Sequence, residues 1–195
     1  MDTIVKDPFY EHMPAFFGMD FDEVTLCKLK HPTNWSRFER AEITESQLFE
    51  EFWRPEVDGP EFDGSALREH MASRYELLEG VPELLQRLAA AGYELHAFSN
   101  YPVWWLEIET RLRLSQLLPW TFLSCQGPTA GRRKPEPAAF EAAARHLGVA
   151  SLDDLLLVDD QRRNVEAAQK LGLQAVQFQS AAQLEQSLQE LGLRF

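Results

Sequence analysis

The chain has 195 residues, enough to bury a substantial core as one domain with room for an inserted subunit, and no linker or repeat argues for more. Nineteen Lys and Arg against 31 Asp and Glu give a net charge of -12, so its long-range field repels nucleic acid and anionic membrane, and any anionic substrate must be held by local groups or a metal. The two cysteines, Cys27 and Cys125, form no CxxC or Cys/His cluster, which speaks against a disulfide framework or zinc site; no apolar run reaches the roughly 18 residues of a membrane span, and no signal segment is visible.

In chain order, the first residues, MDTIVKDPFY, set Asp2 and Thr3 ahead of the apolar pair Ile4 and Val5 with no strand before them. That is either a frayed terminus or the middle of an active-site loop. From residue 8 to about 76 the chain is rich in aromatic residues (Phe16, Phe17, Trp35, Phe38, Phe49, Phe52, Trp53) and shows helix signals without a convincing strand. Thr44 to Gln47 reads as a capping box, and Leu67, Met71 and Tyr75 recur at helical spacing. This predicts a small helical unit. From Gly80 the pattern becomes a strict alternation of helix and strand. VPELLQRLAAAG is a helix stopped by Gly92, and YELHAF a strand; a helix from about Pro102 to Leu114 leads to the strand WTFLS. A helix from about Pro137 ends at Gly148 before the strand LLLV, then NVEAAQKLG, AVQF and AAQLEQSLQELG give helix, strand and helix. Short apolar strands separated by amphipathic helices predict an α/β fold, a parallel sheet covered on both faces.

In such sheets ligands bind beyond the carboxyl ends of the strands. YELHAF runs into Ser99 and Asn100, WTFLS leads through a loop to Arg132, Arg133 and Lys134, and LLLV runs into Asp159 and Asp160. A hydroxyl with an amide, a cation and a carboxylate pair in one crevice suits a phosphoryl group and Mg2+, a hard ion held through oxygens. Each element alone has a plainer reading. Ser and Asn are ordinary turn formers, Lys134 fits an exposed solvated loop, and either aspartate fits a helix cap. Their joint placement at strand ends is the specific signal. His12, His31, His70, His96 and His146 show no ligand spacing and read as structural or solvated. The aromatic residues of the helical unit read as core, and Trp104 and Trp105 either border the crevice or pack on the sheet.

The motif order resembles the haloacid dehalogenase superfamily, with AFSN as its second motif, RRKPEP as its third and LLLVDDQRRNVEAA as its fourth. MDTIVKDPFY, PAFFGM, HAFSNYPVWW and GRRKPEP together are similar to the flavin mononucleotide hydrolases of plant chloroplasts and their bacterial relatives. The resemblance implies a Rossmannoid parallel-sheet core from residues 1–7 and 77–195 and an inserted helical cap from 8–76. It implies Mg2+-dependent hydrolysis of a small phosphate monoester, FMN to riboflavin and phosphate, through an aspartyl-phosphate. Asp159 and Asp160 would hold Mg2+, and Ser99 and Lys134 would orient and neutralise the phosphoryl oxygens. Thr3, Asn100, Arg133 and Asn164 complete that side, Asn100 by shaping the loop or touching substrate and Asn164 by bracing the Asp159 loop. Phe16, Phe17, Trp35 or Trp104 would stack on the isoalloxazine.

Met1, Asp2 and Thr3 correspond to the tail of the first motif, so the nucleophilic aspartate and its central strand are expected upstream of this chain. Their loss would leave an unpaired gap between the strands ending at Phe98 and Val158, and would leave the chain as given inactive. Asp2 falls where the superfamily carries Gly and is the remaining candidate acid. Rival readings are a 2-haloacid dehalogenase or another small-molecule phosphatase on the same scaffold, and a non-catalytic module that binds a phosphate ligand. The expected location is the cytoplasm, or a plastid for a plant or algal source.

Overall fold

The computed structural model describes residues 1–17 and 23–195. Five short helices come first: α1 (Phe9–Phe16), α2 (Glu23–Leu29), α3 (Asn34–Glu39), α4 (Glu45–Glu50) and α5 (Gly64–Ala72). The capping box is present: the Gln47 N–H donates to Thr44 Oγ1 at 3.2 Å, and the Thr44 N–H to Gln47 Oε1 at 2.8 Å. It satisfies two of the donors that a helix start leaves open. The chain enters and leaves this unit side by side, with an antiparallel bridge between Val5 and Leu77 flanked by Lys6 N–H to Glu76 O and Leu78 N–H to Ile4 O, both 2.9 Å.

The alternating part follows as α6 (Val81–Ala90), β1 (Phe98–Ser99), α7 (Trp105–Leu112), β2 (Phe122–Leu123), α8 (Pro137–Leu147), β3 (Leu156–Asp159), α9 (Arg162–Lys170), β4 (Gln174–Gln177) and α10 (Ala181–Glu190). Helix α8 stops where expected because Gly148 takes φ 66°, a left-handed conformation that lets its N–H reach Ala144 O at 3.0 Å. Strands β3 and β4 are parallel in register, Leu156 beside Gln174 and Asp159 beside Gln177. Their side chains alternate faces. Leu156, Val158 and Val176 pack with Val81, Leu84, Leu184 and Leu188 of α6 and α10, whereas Leu157 and Ala175 pack with Phe140 and Ala168 of α8 and α9. This is the expected coverage of both faces.

The strand expected over YELHAF is shorter in the structure, because β1 can pair only where β2 offers a partner. Pro119 brings no N–H to the ladder, and past Leu123 the chain turns, its Gln126 N–H returning to Leu123 O at 3.3 Å. Pairing therefore runs only from Ala97, which exchanges bonds with Pro119 O and the Phe122 N–H, to Ser99. The β1–β2 and β3–β4 pairs form two separate sheets, and no ladder joins them among the described residues.

One apolar cluster ties the helical unit to α7 and its flanks. Met13, Leu26, Leu48, Leu67 and Met71 share it with Ala97, Trp104, Ile108 and Leu118. At about 1.5–3 kcal/mol for each large side chain fully buried, these contacts hold the helices against the core without a linking strand. Trp104 is 2% exposed, inside this cluster rather than at a crevice, and Phe16 and Phe17 stack edge-on with Phe62. Among the described residues no helix is long and apolar enough to cross a membrane.

Candidate active site

The apolar run of β3 carries Asp159 to the end of the strand, where it is 4% exposed just ahead of the N-terminus of α9. There the backbone amides and helix dipole favour negative charge. Its Oδ1 accepts the Gln161 N–H at 2.9 Å and Asn164 Nδ2 at 2.8 Å, and its Oδ2 accepts Lys134 Nζ at 2.6 Å. Lys134, 5% exposed, also donates to Phe98 O at 2.5 Å. One ammonium thus spans the space between the β1–β2 and β3–β4 sheets. An ammonium has three donors, and two are spent here. The third is available to a ligand in that space.

Asn100 explains how Lys134 is placed. Its side chain makes a two-way clamp on the Lys134 backbone, Nδ2 to the carbonyl at 2.7 Å and Oδ1 from the N–H at 2.8 Å. This clamp shapes the loop and uses one of the two N–H groups of the Asn100 amide. Asn164 braces Asp159, as expected of it, and leaves its own Oδ1 buried without a partner. Ser99 ends β1 half-buried, and its hydroxyl has no hydrogen bond among the described residues.

Thr3 meets Asp160 across 157 residues: its Oγ1 receives the Asp160 N–H at 3.2 Å and donates to Oδ1 at 3.4 Å. Gln161 Nε2 caps the other oxygen at 2.5 Å, and β4 contributes Gln177 Nε2, bonded to Asp160 O at 3.0 Å. Asp160 is half-buried and its carboxylate touches only neutral, movable groups, whereas both oxygens of Asp159 are held by buried partners. The donor set fits a hard divalent cation with Asp160 as the more accessible ligand. Among the described residues no group of three or more His, Cys, Asp or Glu converges, so such an ion would complete its shell with water and phosphate oxygens, the habit of Mg2+.

Two expected residues are engaged by other partners. Asp2 is exposed, with φ 51°, the left-handed region where the superfamily pattern has Gly, and its carboxylate accepts the Asp7 N–H at 2.8 Å. That bond closes the turn over residues 2–7. Arg133 is engaged by Glu39 at the end of α3, with 2.5 Å between Nη2 and Oε2. Glu39 also accepts Trp35 Nε1 at 2.9 Å, and the neighbouring Arg40 pairs with Glu136. The helical unit therefore rests on the loop that carries Lys134. His96 bonds Thr121 and Glu94, and His70 bonds His12 O, the structural and solvated roles expected of them.

Sequence reasoning missed three charged residues facing this region. Burial pushes the Asp7 carboxyl up, helped by the charges of Asp2 and Asp160 and opposed by the Phe9 N–H at 2.9 Å. Burial likewise pushes Glu39 up, against the pull of Arg133 and Trp35, and pushes the Lys30 ammonium down. The readable signal was a charge inside an apolar stretch, as in Trp35-Ser36-Arg37-Phe38-Glu39, where Glu39 lies on the same helical face as Trp35. A separate open cavity of about 370 Å3 lies between the α3–α4 segment and the loops after β1 and β2, lined by Phe38, Ile43, Glu45, Val103 and Cys125. None of Ser99, Lys134, Asp159 or Asp160 lines it.

A family model described as a haloacid dehalogenase-like hydrolase matches residues 28–172. The Flavin mononucleotide hydrolase 1 of Arabidopsis thaliana chloroplasts is 45% identical over 193 residues, covering 99% of this chain and 75% of that protein. Among solved structures, a predicted HAD-like family hydrolase from Porphyromonas gingivalis superposes with a TM-score of 0.72 at 16% identity, covering 99% of this chain and 93% of that one. A HAD family enzyme from Bacteroides thetaiotaomicron, solved with magnesium and inorganic phosphate, gives 0.61 at 20% identity over 74% of this chain and 73% of its own. Both likenesses concern the fold.

Proposed function

The chain belongs to the haloacid dehalogenase-like hydrolases, and on that footing we propose that its substrate is flavin mononucleotide, released as riboflavin and phosphate. The family makes it a hydrolase of α/β fold acting on a small phosphorylated molecule. The observation that carries the flavin reading is the 45% identity to an FMN hydrolase along 99% of the chain, together with a phosphate-type set at the strand ends.

In this reading Lys134 uses its remaining N–H on a phosphoryl oxygen, and Ser99 donates its free hydroxyl to another. Asn100 and Asn164 hold Lys134 and Asp159 in place and touch no substrate. Asp160, with Thr3 behind it, is the residue that would hold Mg2+, and Asp159 would stand beside it while fixing Lys134. When bound, the ion would neutralise phosphate charge and draw electron density from phosphorus. A carboxylate entering the space between β1 and β3 would meet the Lys134 ammonium and be kept ionised by it. Arg133, committed to Glu39, acts as a strut.

The test is phosphate release from FMN with Mg2+ by the protein isolated from its natural source, compared with glucose 6-phosphate and with chloride release from 2-chloropropionate. Phosphate from FMN at a kcat/KM at least about tenfold above the sugar phosphate supports the proposal. Chloride release, or equal use of the sugar phosphate, refutes it.

A further inference from the structure

Lys30 is the charged residue near the site that the proposed chemistry leaves unused. It follows α2 directly, and its backbone is fixed against the segment after α4. It bridges to Trp53, with the Arg54 N–H on Leu29 O at 3.0 Å and the His31 N–H on Phe52 O at 2.8 Å. The side chain is half-buried and its ammonium stands over the Phe9 ring, 4.8 Å from the centroid. It has no hydrogen bond or ion pair among the described residues. Arg133 and Lys134, by contrast, are each paired with a carboxylate.

The surroundings say which way Lys30 faces. The carboxylates whose charge reaches it are Glu39 and Asp7. Glu39 holds Arg133, the residue before Lys134, and Asp7 feels the charge of Asp160. Phe9, under its ammonium, bonds Asp7 through its N–H, and Trp35, which lines the same small space, bonds Glu39, so Lys30 adjoins the segments that hold Arg133 and, through Asp2 and Thr3, Asp160. Burial without a partner destabilises an ammonium, and it is offset when a ligand brings an acceptor. The wall beside it is aromatic: Phe9 and Trp35 pack at 4.9 Å, and Trp35 is only half-buried. The space lined by Phe9, Lys30, Asn34 and Trp35 is about 10 Å3, room for one ligand atom and not for a ring.

We propose that Lys30 is a specificity residue of the helical unit, donating a hydrogen bond to a ring carbonyl of the leaving group while the flat ring lies across the half-buried face of Trp35. This rests on the flavin reading above. The isoalloxazine carries two carbonyls on one edge, and one oxygen fits the small space where the ring does not. The contact is remote from the phosphoryl group, so Lys30 recognises the alcohol and Lys134 the phosphate.

Flavin fluorescence gives a readout that does not depend on turnover. With Mg2+ present, FMN and riboflavin are titrated against the protein by quenching, and inorganic phosphate by competition with FMN. A charge-assisted hydrogen bond corresponds to roughly ten- to hundredfold in affinity. Lys30→Met is expected to weaken FMN and riboflavin by that factor and leave phosphate within twofold, with Lys30→Arg keeping most of the affinity. Lys30→Gln serves in its place where circular dichroism shows the Met variant unfolded. Flavin affinities within twofold of the parent, or phosphate weakened as much as FMN, overturn the proposal. A parent protein that binds phosphate and neither flavin overturns the flavin reading and this proposal with it; flavin binding unaffected by Lys30 overturns this proposal alone.

Discussion

Replacing Glu39 by Ala removes the partner of Arg133 where the helical unit meets the loop carrying Lys134. The Glu39 side chain is 7% exposed and that of Arg133 22%, so the charge left behind stays largely out of water. Breaking a buried pair from one side costs about 3–5 kcal/mol, chiefly the uncompensated charge, and the freed Trp35 N–H adds to it. Guanidinium exposure discounts this toward the lower end, about 3 kcal/mol. The pair itself is not strongly stabilising. Although Arg133 Nη2 is 2.5 Å away, Glu39 Oε2 makes no well-directed hydrogen bond, and burial outweighs the cation in setting the carboxyl's pKa. Removing both charges, Glu39→Met with Arg133→Met, should therefore recover most of the loss or exceed the parent. Urea denaturation of the parent, Glu39→Met, Arg133→Met and the double variant gives the coupling energy. A Glu39→Ala cost under about 1 kcal/mol, or a double variant no better than the single one, would refute this account.

Three further outcomes follow from the same geometry. Asp7 has its carboxyl raised above 3.8, so the folded chain holds that proton more tightly than the unfolded one; the stabilisation is complete below 3.8 and is lost as pH rises through the raised value. Asp7→Asn keeps an oxygen for the Phe9 N–H and does not ionise, so it should be more stable than the parent at about pH 7 and equal to it near pH 3, read by urea midpoints at each pH. Lys134→Met strands Asp159 and Phe98 O, and should cost about 3–5 kcal/mol while weakening phosphate competition at least about a hundredfold; retained phosphate affinity would contradict the site. At Gly64 an added Cβ would overlap the Phe49 ring, so Gly64→Ala should cost about 1–3 kcal/mol by thermal unfolding, part of it restored by Phe49→Leu.

The sequence pattern carried the order of elements and the strand-end residues, because a parallel strand announces itself by an apolar run and its ligand end by the polar residues that follow. Asp159, Lys134 and Asn100 were legible for that reason. Strand length was not: YELHAF carries β character, yet only Phe98 of that stretch, with Ser99 after it, pairs as strand, since β2 limits the ladder. The Asn100 clamp spans 34 residues and the Thr3 contact with Asp160 spans 157, and no local period records such pairings. Glu39 escaped for another reason. On a short helix a charge among aromatic residues looks like a solvated face until the opposing loop is in place.

Buried polar atoms in a folded protein normally find partners, and the exceptions here are not spread evenly. Of the five orphaned atoms among the described residues, three belong to Asn164, which bonds Asp159, to Arg133, which precedes Lys134, and to Glu39, which pairs with Arg133. Asn164 cannot relieve its own by turning over, because that would set its oxygen against Asp159. The helical unit closes over this loop, and the orphaned atoms are buried from solvent. An apolar core would be more stable there; what the arrangement provides instead is a set of donors and acceptors held in fixed orientation around the Lys134 and Asp159 pair.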